Sequence, residues 1–163
     1  MSKQTAHGDL IALPVAEVMS QPVVSVTADV VLGDVLAAMV RMGLRHLAVV
    51  DHADRCIGVV GDRAVAAAWA ADPSALARTA VGHVLDSRPS IVGTYANIGD
   101  VARAMYVDRV DAVAVIDRTG CPVGMVTGGD LVALMATQVN AVVGVEATVE
   151  NGDGADKSAD LDP

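Results

Sequence analysis

The chain has no phenylalanine, one tryptophan and two tyrosines among 163 residues. Its core must therefore be filled by Val, Ala, Leu, Ile and Met. Val suits strands while Ala and Leu suit helices, so a mixed α and β fold is expected. Only two cysteines are present, without metal-type or disulfide-framework spacing, and Cys56 and Cys121 read as reduced thiols of strand or core. Positive charge is also scarce: eleven Lys and Arg are scattered against twenty Asp and Glu, for a formal net charge of −9. That balance argues against a nucleic-acid footprint, which needs clustered cations. No apolar run is long enough to span a bilayer, and residues 1–8 hold no segment of signal-peptide type. A soluble, cytoplasmic protein without membrane contact is the expectation. The four histidines have no metal spacing, and none stands beside a Ser or Cys in a nucleophile phrase, so no metal, no catalytic residue and no enzyme activity are expected.

The acidity is concentrated near the end. From Glu146 to Pro163 there are six acids against Lys157, a net of −5 out of −9. With Gly152, Gly154 and Ser158 and few large apolar residues, residues 144–163 are expected to be a disordered acidic tail, the alternative being an interaction tail.

What the chain does contain is a duplication. Shifted by 66 positions, the stretch from Gly33 to Val60 matches itself at ten of twenty-eight places, among them Gly33/Gly99, Asp34/Asp100, Ala48/Ala114, Asp51/Asp117 and Gly58/Gly124. A period this long points to two compact modules folded against each other rather than an open solenoid. Function is then to be sought where the copies face each other and where they differ.

Each copy predicts the order β-α-β-β-α. In the first, a strand over 23–26 precedes a helix starting near Leu32, with Thr27 or Asp29 as possible caps. Strands over 47–50 and 56–60 flank a turn at 52–55, and Asp62 opens an Ala-rich helix to Ala71. The second copy predicts strands over 90–92, 112–116 and 123–126 and helices over 97–108 and 130–142. A linker with one or two helical turns joins them. Because the strands are apolar on both faces, each small sheet should be covered by helices on one side and by the other half on the other.

Thr127-Gly128-Gly129-Asp130 is the phrase with the most chemistry. Thr127 ends a strand with a hydroxyl that can donate to phosphate. Gly128 and Gly129 admit close backbone approach, and the helix that follows presents its positive dipole end. Asp130 would repel phosphate and is better matched to a ribose diol. The alternative is a turn that merely caps a helix. The shift by 66 puts Gly61 opposite Thr127 and Ala64 opposite Asp130, so the first copy lacks both groups and should bind weakly or not at all. Arg63 there is a phosphate ligand or a solvated side chain. Arg45 and His46 face a cleft or merely end a strand.

Three phrases, Val18-Met19-Ser20-Gln21-Pro22, Arg45-His46-Leu47-Ala48-Val49-Val50-Asp51 and Gly124-Met125-Val126-Thr127-Gly128-Gly129-Asp130-Leu131, in this order within the duplicated pattern, resemble the cystathionine β-synthase (CBS) domain pair, or Bateman module. The resemblance covers about residues 15–142. It implies an α/β (α+β) fold of two tandem repeats packed with pseudo-two-fold symmetry. The implied division is an N-terminal extension at 1–14, repeats at 15–72 and 84–143, a linker at 73–83 and the tail at 144–163. It further implies a regulatory, homodimeric protein acting on an unknown effector protein, with no required cofactor. Its ligand would be AMP, ADP, ATP or S-adenosylmethionine, held between the repeats by Thr127 on phosphate and Asp130 on ribose. Ile91, Val92, Ala112 and Val113 would wall the adenine. Ala48 and Ala114 stand where the family often has Pro, a departure that touches strand geometry. The missing groups at Gly61 and Ala64 motivate the alternative of a ligand-free scaffold for dimerisation or partner docking.

Overall fold

The structure, a computed structural model, describes residues 10–147. Residues up to Leu131 belong to one compact unit and those from Val132 to a second.

Within the first unit, each copy builds a three-stranded sheet around a central apolar strand. In the first copy, β1 (Ser25–Thr27), α1 (Leu32–Met42), β2 (His46–Val50), β3 (Cys56–Gly61) and α2 (Asp62–Ala71) follow in order. β2 pairs parallel with β1 and antiparallel with β3. After a linker containing α3 (Ala75–Arg78) and a 3-10 turn at Val81–Val84, the order repeats. It continues as β4 (Ile91–Gly93), α4 (Ile98–Asp108), β5 (Ala112–Ile116), β6 (Pro122–Thr127) and α5 (Gly128–Ala147). β5 is central in the same way. The β-α-β-β-α order expected from the sequence is present twice.

Alternation along the central strands sorts their side chains. Leu47 and Val49 turn toward Leu32, Val35 and Met39 of α1, and Val113 and Val115 toward Val101 and Met105 of α4. Ala48, Ala112 and Ala114 point the other way and, with Cys56 and Met125, form a buried layer between the sheets. Alanines at these places let the sheets approach closely.

The expected caps of α1, Thr27 and Asp29, are not used. The N-cap is Val31, without a side-chain bond. The linker substitutes, since the Leu32 N–H donates to the Thr79 carbonyl at 2.9 Å. α4 instead carries a capping box between Asn97 and Asp100. α5 is longer than predicted at both ends, so residues 144–147, expected in the tail, are its last turn. No proline interrupts that stretch, and a lone Gly144 costs a helix only about 1 kcal/mol. The remainder of the expected tail, like residues 1–9 of the expected extension, lies outside the described residues.

The leading segment of each copy packs on the other copy. Val15, Val18 and Met19 join the core of the second copy, while Leu76, Val81, Val84 and Leu85 complete that of the first. The exchange is tied by backbone bonds from Val15 N–H to the Ala96 carbonyl at 3.0 Å and from Val81 N–H to the Val30 carbonyl at 2.8 Å. Two of the duplicated glycines make room for it. A Cβ at Gly58 would stand 3.2 Å from Leu85 Cδ1, and one at Gly124 2.8 Å from Met19 Cγ. The divisions at 15–72 and 84–143 therefore do not coincide with the two cores.

The duplicated Asp51 and Asp117 close the hairpin turns. Asp51 accepts from the N–H groups of Ala53 and Arg55 at 2.8 and 3.0 Å and from the Arg55 guanidinium. Asp117 accepts from the Thr119 hydroxyl at 2.6 Å and from the N–H groups of Thr119 and Cys121. The Arg55 N–H at Asp51 and the Thr119 hydroxyl at Asp117 are the main causes that hold the two carboxyls below the ordinary Asp range. The folded state thus binds fewer protons than the unfolded state in that interval. The stability these turns add is present above about pH 4 and is lost as pH falls through the folded values. Thermal melts from pH 7 to pH 3 should show an acid loss that is shallower in Asp51→Asn/Asp117→Asn; an unchanged slope would remove these turns from the account.

Candidate functional site

A cavity of about 500 Å³ opens where the start of α5 faces the first copy. The second copy contributes Asp111, Met125 and the turn Thr127-Gly128-Gly129-Asp130. From the first copy come Ser20, Pro22, Val23 and Val24, which lead into β1, and Gly43, Leu44, Arg45 and His46, which lead from α1 into β2. Its size falls within the range of small-molecule sites.

Of the eight residues the sequence proposed for a ligand, Thr127, Gly128, Gly129 and Asp130 line this cavity, whereas Ile91, Val92, Ala112 and Val113 do not. The reason lies in the topology. Ala112 and Val113 start the central strand β5 and are buried, one between the sheets and the other under α4. Ile91 packs at the sheet interface and Val92 against the second core. The walls are instead first-copy residues near the positions 66 places earlier; His46 is the counterpart of Ala112.

Thr127 and Asp130 are engaged with each other. The Thr127 N–H and hydroxyl both donate to Asp130 Oδ2, at 2.7 and 2.8 Å, and the Asp130 N–H reaches back toward Thr127 Oγ at 3.3 Å. This reciprocal pattern is that of a capping box, which explains why α5 begins at Gly128. Asp130 Oδ1 makes no hydrogen bond among the described residues. The Gly128 N–H is also occupied, donating to the Asp111 carbonyl at 2.8 Å.

One ion pair and one histidine–carboxylate hydrogen bond stand beside this turn. Arg45 Nε donates to Asp62 Oδ2 at 2.9 Å, and the Arg45 guanidinium holds the Asp62 carboxyl below its ordinary range. His46 Nε2 lies 2.9 Å from Asp111 Oδ1, with the imidazole 11% exposed and the carboxylate 60% exposed. By the shift of 66, Asp111 is the counterpart of Arg45, so the copies place opposite charges at equivalent points. In the first copy, Gly61 caps α2 without a side-chain bond.

The sequence profile of the CBS domain matches residues 15–71 and again residues 81–137. The chain belongs to the CBS domain family. As a CBS pair it has many structural counterparts. One is the CBS domain pair of protein MJ0100 in complex with 5′-methylthioadenosine and S-adenosyl-L-methionine. It is 17% identical over 78% of this chain and 98% of that one, with a TM-score of 0.70. Hypoxic Response Protein I, with two coordinated zinc ions, is 22% identical over 74% and 97% with a TM-score of 0.66. The cytosolic domain of the Mg2+ channel MgtE, in complex with ATP, is 25% identical with a TM-score of 0.62; the match covers 79% of this chain and 51% of that one. No curated protein sequence matches this CBS pair.

Among the described residues, no cluster of three or more His, Cys, Asp or Glu side chains is placed to hold a metal ion. No helix among them is long and apolar enough to cross a membrane. Cys56 is buried, which pushes its thiol pKa up, and neither it nor Cys121 forms a disulfide.

Proposed function

We propose that this CBS pair is a stand-alone regulatory module, not an enzyme, that binds an adenosine-containing ligand such as AMP, ADP, ATP or S-adenosylmethionine in the cavity between its copies. The observation that carries the reading is the position of Asp130, on the cavity wall with Oδ1 available to a ribose hydroxyl while Oδ2 is held by Thr127. Val23, Val24, Leu44 and Met125 give the cavity an apolar surface suited to a base. The ligands named for MJ0100 and MgtE support the same class. Binding would bias the relative arrangement of the copies, and unequal affinity for two arrangements would carry the signal to an effector protein. The working unit is a cytoplasmic homodimer.

The second reading is a CBS scaffold that docks a partner and binds no ligand. The Thr127 to Asp130 bonds favour it, because a capping box accounts for both residues without a ligand.

Calorimetric titration at 25 °C separates the two. Asp130→Ala removes half of the capping box and should cost about 1 kcal/mol of stability. If Asp130 holds the ribose, it should also weaken adenosyl-ligand binding at least about tenfold. Unchanged affinity in that variant would move the ligand elsewhere, and no heat with any adenosyl ligand on the wild type would leave the scaffold.

A further inference from the structure

The charge around the cavity narrows the ligand. Arg45 is the one fixed positive side chain among the described residues lining it, and it is bonded to Asp62. His46 is bonded to Asp111, whose carboxylate lines the cavity together with that of Asp130. One guanidinium, already paired with Asp62 outside the lining, therefore shares the cavity with two carboxylates.

The backbone offers an anion little more. The sequence suggests a phosphate cradle at the start of α5, yet the Thr127 N–H is held by Asp130, the Gly128 N–H by the Asp111 carbonyl, and the Asp130 N–H by Thr127 Oγ. Asp130 also already sits in the first turn of α5, where its charge offsets the helix dipole that would otherwise attract phosphate. Of this turn's N–H groups only that of Gly129 has no hydrogen-bond partner among the described residues, so a phosphorylated ligand would gain one backbone donor there and would otherwise have to break these bonds or enter against the two carboxylates.

We infer that the cavity selects an adenosine derivative whose 5′ substituent is uncharged or cationic, a thioether or sulfonium nucleoside, over nucleoside phosphates. This rests on the adenosyl reading above. The like charges act by exclusion, which is how a site discriminates between ligands that share most of their contacts. Pro22, Val23, Leu44 and Met125 supply apolar surface for an alkylthio group that has no phosphate to solvate.

The test is a calorimetric comparison of 5′-methylthioadenosine, S-adenosylmethionine, AMP and ATP on the full chain. The first two should bind at least about tenfold more tightly than AMP, with ATP weaker still. Asp111→Asn, at an exposed side chain, should narrow that gap by strengthening AMP and ATP. Added salt should narrow it in the wild type by screening, which gives the same reading without a mutation. AMP or ATP binding as tightly as the thioether nucleoside, or a gap indifferent to both salt and Asp111→Asn, would overturn the inference and leave the adenosyl reading standing. Failure of all four ligands would remove both.

Discussion

Residues 20–86 produced alone will fold with a cooperative thermal transition, and residues 15–72, the repeat as the sequence divides it, will not. The longer fragment contains the first core together with the segment that completes it, including the fully buried Val81 and the Leu76, Val84 and Leu85 packed beside it. The shorter fragment loses all four and uncovers Leu32, Val35 and Val65. Burying one such side chain is worth about 1.5 to 3 kcal/mol, so the loss is comparable with the whole stability of a small domain, about 5 to 15 kcal/mol. The shorter fragment would also carry Val15 and Met19, which belong to the other core, exposed to solvent. Circular dichroism melts of the two fragments decide the matter. A sharp transition for 15–72 near that of the full chain would show that the exchanged segments are ornaments on a self-sufficient repeat.

Ala48→Leu combined with Ala114→Leu should be among the most damaging changes that introduce no polar atom. Both alanines are fully buried between the sheets. Three added carbon atoms at each have nowhere to go without moving the sheets apart. Overpacking costs about 1 to 3 kcal/mol per site, and the two sites share a layer, so they will not be independent. At about 2 to 4 °C per kcal/mol, the double variant should melt roughly 4 to 24 °C below the wild type. Met125 belongs both to this layer and to the cavity wall, so the proposed adenosyl ligand should bind more weakly to the same variant. A melting temperature within a few degrees of wild type would mean that the sheets are not in close contact.

The duplication made much of the fold legible. Because a register that satisfies one copy must satisfy the other, the strand order and the hairpins at Asp51 and Asp117 could be read from the offset alone, with strand ends within about two residues. The identical positions have folding roles: Val49 and Val115 lie under the helices, Ala48 and Ala114 between the sheets, and Gly58 and Gly124 under the exchanged segments. The exchange itself was not legible, since Val15 and Val18 show the same apolar pattern whichever core receives them. Half of the residues proposed for a ligand lie away from the cavity for a related reason. Thr127 to Asp130 stand out by chemistry, but the opposite wall is set by how the copies meet, and only a pairing across the pseudo-two-fold points to His46 rather than Ala112. The Arg45–Asp62 ion pair and the His46–Asp111 hydrogen bond fall at positions where the copies differ, which is where function was to be sought.

The crossing of the leading segments bears on how such a chain can come to carry two unlike turns in two like halves. Two separate single-repeat chains could make the same pair of cores by lending each other their leading segments, as a swapped dimer does. In that assembly every substitution appears twice, so an aspartate placed at one turn is placed at both. Joining the end of one chain to the start of the next breaks this constraint. Only in the fused form can Thr127 and Asp130 stand opposite Gly61 and Ala64 at equivalent points of the two copies, so that the two turns are free to differ in chemistry while the cores stay alike.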